Sequence, residues 1–202
     1  MRLGVMGGTF DPIHYGHLVT AEEARVQFRL DQVLFVPAGE PPHKEQRSDV
    51  APAEHRYLMT VIATAANPAF EVSRMEIERP GPSYTIDTVR ALRAERGPGL
   101  ELYFITGADA VWEILTWHEH EEVAKLARFI AATRPGYPLD RFQSPDRGGI
   151  TGSVEIMEIP ALAISSSDIR ERLREARPIR YLTPDAVVAY IAKHDLYVGE
   201  AA

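Results

Sequence analysis

The chain reads as an α/β protein: a doubly wound, mainly parallel sheet with helices on both faces. Short apolar runs of strand length alternate with segments whose apolar residues recur at three- and four-residue spacing. Residues 3–18 pass from one such run through a Gly-rich turn into a helix. No internal repeat or low-complexity linker interrupts the 202 residues, a length that suits one domain over 1–202 with a sizeable core.

Taken in order, residues 3–6 form a buried strand, and Gly7 and Gly8 turn the chain where a side chain would block close approach of a ligand. Asp11-Pro12 marks a turn. From about Gly16 a helix buries Leu18, Ala21, Ala24 and Phe28. Gln32–Pro37 is the next strand by length and Val and Phe content. Residues 38–47, Pro-rich and polar, are irregular and carry His43, Lys44 and Arg47, either a solvated loop or phosphate partners. A helix over 53–66 presents Leu58, Val61, Ile62 and Ala65, a strand covers 70–77, and Gly81-Pro82-Ser83 turns into the helix Thr85–Arg96, capped by Ser83 or Tyr84.

Residues 100–106 are a strand ending in Gly107, and Asp109 either caps the helix 110–115 or faces a ligand at the strand's C-terminal end. Trp112 fits the apolar face of that helix; Trp117, beyond it, is harder to assign to packing. The strand 127–133 ends at Arg134, a turn residue or a phosphate partner. Residues 137–153 are polar and without period, a long surface loop. A last strand, 154–159, leads to a Ser165–Ser167 cap and the helix 168–176, and Thr183-Pro184 opens a structural helix ending at Lys193.

Composition narrows the function. The net charge of −7 argues against broad nucleic-acid or membrane-surface binding, so any phosphate must be held by a few local cations and backbone groups. Without Cys, disulfides and thiol catalysis are excluded. No signal-like segment or membrane-length apolar run stands out, so a cytoplasmic protein is the expectation; oligomeric state stays open.

Two features carry chemistry. A Gly-rich turn before a helix N-terminus is an anion site, and His14 and His17 share one face of the first helical turn, able to donate to one phosphate chain. Neither Gly-x-Gly-x-x-Gly nor a P-loop is present, and no third ligand at metal spacing accompanies the two imidazoles. Ser165, Ser166 and Ser167 before Arg170 are either an ordinary N-cap or a second anion site.

Gly-Gly-Thr-Phe-Asp-Pro-Ile-His-Tyr-Gly-His, with His14-Tyr15-Gly16-His17, resembles the HxGH signature of a nucleotidyltransferase superfamily. Ile164-Ser165-Ser166-Ser167-Asp168-Ile169-Arg170 resembles its second motif, ISSTxIR, with Ser167 in place of Thr. The likeness runs over nearly the whole chain and is closest to the bacterial nicotinate mononucleotide adenylyltransferases, which implies a Rossmann-like fold. It implies ATP contacts at Gly7, Gly8, Thr9, Phe10, His14, His17, Gly107, Asp109, Ser166, Ser167 and Arg170. His14, His17 and Arg170 would be catalytic. It further implies mononucleotide contacts at His43, Lys44, Tyr84, Thr85, Asp109, Trp117 and Arg134, with Trp117 stacked on the pyridine ring. The reaction implied is ATP plus nicotinate mononucleotide giving deamido-NAD and pyrophosphate, with Mg2+ held through phosphates and no metal ligand from the protein. A phosphopantetheine adenylyltransferase, whose pattern has Thr-Asn-Gly-His at this motif, and a non-catalytic nucleotide-binding protein are the alternatives.

Overall fold

The computed structural model describes residues 1–40, 50–134, 154–160 and 162–198, without the side chains of Asp109 and Trp112. The expected contacts at His43 and Lys44, Arg47 beside them, and the loop 137–153 lie outside the described residues. The apolar runs form six strands: β1 (Arg2–Gly8), β2 (Gln32–Pro37), β3 (Phe70–Val72), β4 (Glu101–Gly107), β5 (Arg128–Thr133) and β6 (Val154–Glu158). They pair in one sheet in the order β3-β2-β1-β4-β5-β6, and every pairing is parallel. Between and after them run helices α1 (Tyr15–Gln27), α2 (Ala53–Thr64), α3 (Thr85–Arg96), α4 (His120–Leu126), α5 (Ser166–Arg174) and α6 (Asp185–Lys193).

The central strands β1, β2, β4 and β5 are buried along most of their length because both sheet faces are covered, whereas the edge strands β3 and β6 expose Glu71, Glu155 and Glu158. Successive side chains point to opposite sides. Leu3, Val5, Leu34, Val36, Leu102 and Phe104 therefore join Ile86, Val89 and Leu92 of α3 in one core. Met6, Val33, Phe35, Tyr103 and Ile105 join Ala21 and Ala24 of α1, Met59 of α2, Ile169 of α5 and Val187 of α6 in the other. The chain reverses its winding between β1 and β4, which opens a crevice at the strands' C-terminal ends.

Three local expectations are corrected. Gly7 and Gly8 do not turn the chain; they continue β1, paired with Val36 and Pro37. Space explains the glycine at Gly7, where an added Cβ would stand 3.0 Å from the Phe104 ring. β3 stops at Val72, because Ser73 Oγ accepts the Met75 N–H at 3.2 Å and bends the chain out of the sheet. The expected helix 110–115 is a 3-10 helix, Ala108–Thr116, begun by Gly107 rather than capped by Asp109. Ala108, Val111 and Ile114 are all buried, and a three-residue period stacks them in one stripe against the core.

The buried face of α2 also differs: Arg56, Met59, Thr60 and Thr64 are inside, whereas Leu58, Val61 and Ile62 are only half-buried. The polar residues are inside because Arg56 has partners there, described below.

Just past β2, the Gly39 N–H donates to Ser83 Oγ at 3.0 Å, which draws that hydroxyl away from capping α3. A Cβ on Gly39 would lie 2.3 Å from the carbonyl oxygen of Glu76, and backbone cannot swing aside. Gly39→Ala is expected to lower the thermal midpoint by about 4–8 °C, as roughly 2 kcal/mol of overpacking does in a chain this long. Differential scanning calorimetry checks it; an unchanged midpoint would show that the two segments separate freely.

Candidate active site

Between β1 and α1 the chain makes an irregular turn, residues 9–14, that buries Phe10, Asp11, Ile13 and His14. Buried carbonyls need donors. Here side chains from distant parts of the chain supply them. Arg56 Nη1 donates to the Thr9 carbonyl at 2.8 Å and Arg170 Nη1 to that of Asp11 at 2.7 Å. Ser166 Oγ donates to the Pro12 carbonyl and Thr183 Oγ1 to that of Ile13, each at 2.8 Å. The same Arg56 side chain reaches the carbonyls of Ala51 and Gly39, at 2.9 and 3.1 Å. The Asp11 carboxylate, 2% exposed, accepts the Ala51 N–H at 3.0 Å and the Tyr197 hydroxyl at 2.6 Å.

The turn delivers His14 to the N-cap of α1, with His17 one turn on. Their rings stack, with centroids 3.8 Å apart, and Phe10 stands edge-on to His17 at 5.1 Å. The His14 N–H donates to His17 Nδ1 at 3.2 Å. In the neutral ring this leaves the hydrogen on Nε2, a donor for a ligand. Gly16 completes the motif: a Cβ there would press on the His14 ring at 2.9 Å. No acidic side chain occupies the first turn of α1, so its positive dipole end is left to an incoming anion.

Both imidazoles are held toward neutrality. Burial lowers His14 to about 4, and burial, with His14 close by, lowers His17 well below its ordinary value. His14 Nδ1 is buried and has no hydrogen-bond partner among the described residues.

The pair opens into a cavity of about 560 Å³ at the crevice between β1 and β4. Gly7, Thr106, Gly107 and Ala132 form its floor, His14, Gly16, His17 and Thr20 one wall, and Arg134 with residues 159, 160 and 162–165 the other side. Its described lining contains no carboxylate side chain. Such a concave site suits an anionic ligand with an apolar portion.

The profile of the cytidylyltransferase-like family matches residues 5–172. The probable nicotinate-nucleotide adenylyltransferase of Acidothermus cellulolyticus is 58% identical over 97% of this chain and 94% of its own length. That of Nocardioides sp. is 61% identical over 95% and 92%. The chain belongs to the nicotinate-nucleotide adenylyltransferase branch of the cytidylyltransferase-like family. Two structures of a Plasmodium falciparum nicotinic acid mononucleotide adenylyltransferase share its fold. The one complexed with NaAD has a TM-score of 0.79 and the one complexed with APC 0.75, both at 22% identity, covering 97% of this chain and 97% and 96% of theirs.

The expected site residues differ in where the fold places them. Gly7, His14, His17, Gly107 and Arg134 line the cavity, with Ser165. Phe10 and Arg170 are buried behind it: Phe10 backs His17 and Phe35, and Arg170 braces the turn, its Nη1 also 3.4 Å from Asp11 Oδ2. Gly8, Thr9, Ser166 and Ser167 sit beside the cavity without lining it, Ser166 through its bond to Pro12. Asp109 lies in the first turn of the 3-10 helix.

The remaining residues lie apart from that wall. Tyr84 and Thr85 open α3 without a side-chain cap, and the Tyr84 ring tilts on His118 at 4.9 Å. Trp117 is half-buried, edge-on to Phe104 at 5.4 Å and to Phe129 at 6.4 Å. Sequence reasoning missed Arg56 and Tyr197. Arg56 left a trace, a charge three and four residues before Met59 and Thr60 on a helix.

The His14 shift fixes a pH dependence. An imidazole whose folded value lies below the unfolded one of about 6.5 stabilises above that pH, and the contribution is lost as pH falls from about 6.5 toward 4. The ligand-free thermal midpoint of His14→Asn, minus that of the wild type, should rise over this interval on acidification. A flat difference would mean that His14 titrates normally.

Proposed function

We propose that this chain transfers the adenylyl group of ATP to nicotinate mononucleotide, giving deamido-NAD and pyrophosphate. The observation that carries the reading is the stacked His14–His17 pair at the open N-terminus of α1, inside the cavity at the sheet's winding reversal. The names of the bacterial relatives support the choice of substrates.

The chemistry needs no protein nucleophile. A phosphate monoester, with a second pKa of about 6, is largely dianionic near neutrality. Its oxygen attacks the α-phosphorus of ATP as the bond to the bridging oxygen of the β-phosphate breaks, and pyrophosphate leaves. The protein aligns the two phosphates and stabilises charge as it develops. The Nε2–H of His17, and His14 once an anion offsets its burial, are placed as donors. Arg134 lines the same cavity. Arg170 acts from behind, by holding the Asp11 carbonyl.

Mg2+ belongs to this proposal as a companion of ATP. Among the described residues no group of three or more His, Cys, Asp or Glu is arranged to hold an ion, and the cavity's described lining offers no carboxylate. Triphosphate oxygens and water would carry it, and it would neutralise phosphate charge there. The nicotinate side is assigned to Tyr84, Thr85 and Trp117. α3 has no side-chain cap, so its first N–H groups are available to a carboxylate, and an indole face suits a pyridine ring.

The test is pyrophosphate release with ATP and Mg2+, offering nicotinate mononucleotide, nicotinamide mononucleotide and phosphopantetheine in parallel. Preference for the nicotinate form is expected; turnover of phosphopantetheine alone would replace the substrate. In the same assay His17→Ala should lower kcat by roughly 10²–10³, the scale of losing one transition-state donor. Wild-type turnover by that variant would remove His17 from the mechanism.

A further inference from the structure

The Asp11 carboxylate sits three residues before His14, buried and engaged from three directions. Ala51 N–H donates to Oδ1 at 3.0 Å, Arg170 Nη1 lies 3.4 Å from Oδ2, and the Tyr197 hydroxyl donates to Oδ1 at 2.6 Å. The first two partners come from the loop before α2 and from the second motif. The third comes from beyond α6, in a segment with no assigned role.

The path of that segment is specific. After α6 the Leu196 N–H bonds back to the Ile191 carbonyl at 3.1 Å, and Asp195 and Tyr197 both take positive φ, at 49° and 63°. Non-glycine residues adopt this conformation rarely, and packing must hold it. Here it folds the Tyr197 ring against the core on the α1 and α2 side of the sheet, where its single polar atom meets the carboxylate. Burial first, and Asp11 second, push the phenol well above its ordinary pKa, so it stays a donor. A short O–H···O⁻ bond is charge-assisted and directional, and it fixes Asp11 more tightly than a neutral contact would.

Resting on the adenylyltransferase reading, we infer that Tyr197 is a positioning residue for catalysis: its hydroxyl holds the Asp11 end of the turn and thereby sets where the His14–His17 pair stands against the phosphates. The neighbouring restraints do not substitute for it. Ser166 and Thr183 hold main-chain carbonyls along the turn and Arg170 chiefly that of Asp11, while on the carboxylate itself the Tyr197 hydroxyl makes the shortest contact, 2.6 Å against 3.0 Å from the Ala51 N–H and 3.4 Å from Arg170 Nη1. Losing it lets Asp11 reorient between Ala51 and Arg170 and carries Pro12, Ile13 and His14 with it. Alignment errors well under 1 Å already matter to transfer chemistry.

Tyr197→Phe removes only the hydroxyl. At 25 °C its kcat for pyrophosphate release should fall about 10-fold or more, with KM for ATP and for the mononucleotide within about twofold of wild type. Ile191→Val, a core truncation in α6, is the control for stability alone: its midpoint drops while its kcat per folded molecule holds. Hydrogen exchange of the peptide spanning residues 9–14 should quicken in Tyr197→Phe and not in Ile191→Val. A Tyr197→Phe kcat within twofold of wild type overturns the inference. If the wild type turns over none of the three substrates, the functional reading fails separately, and the exchange measurement decides for Tyr197. Should Tyr197→Phe not fold, Asp11→Ala, which leaves the hydroxyl nothing to hold, must show a kcat loss at least as large; unchanged kcat there also overturns it.

Discussion

Everything at the site depends on how residues 9–14 are held. The turn is buried, has no regular structure of its own, and carries carbonyls that must find donors away from water. Arg56, Arg170, Ser166 and Thr183 supply them from α2, α5 and the approach to α6. A helix satisfies its backbone within itself and a strand along its ladder, each by a regular pattern of main-chain bonds. This turn takes its shape only when the remote elements have docked, so placing the His14–His17 pair and completing the fold go together.

The arrangement also gives an acidic protein a local site suited to an anionic ligand. The formal net charge is −7, yet the described cavity lining has no carboxylate. Its polarity is local: a helix N-terminus, backbone at Gly7 and Gly107, the exposed Arg134, and two imidazoles that burial holds toward neutrality. Neutral rings avoid burying two adjacent cations. The permanent cations, Arg56 and Arg170, are placed behind the turn, where Asp11 balances them.

Legibility in the sequence followed the range of the interactions. β2 at Gln32–Pro37, α3 at Thr85–Arg96 and α6 at Asp185–Lys193 appear at the bounds their patterns suggest, because composition and apolar period within a few residues decide them. The Gly-Gly pair and the 3-10 helix were misjudged for a different reason. Gly7 is small because Phe104, about a hundred positions away, passes over it, and residues 108–116 wind tightly because Ala108, Val111 and Ile114 face one core. The phase of α2 is the clearest case. Apolar periodicity favours Leu58 and Ile62, but hydrogen bonds to the turn outweigh it and bring Arg56 and Thr60 inside.

The sequence by itself determined the α/β class, the parallel alternation, the two motifs and the presence of His14 and His17 beside a helix start, since each is written in neighbouring residues. Tertiary structure alone decided that Arg170 faces the turn, that Trp117 rests edge-on to Phe104 and Phe129, and that Tyr197 reaches Asp11 across most of the chain. Hydrogen bonds between buried groups depend on distances of a few tenths of an ångström, and such distances exist only once the sheet has brought distant segments together.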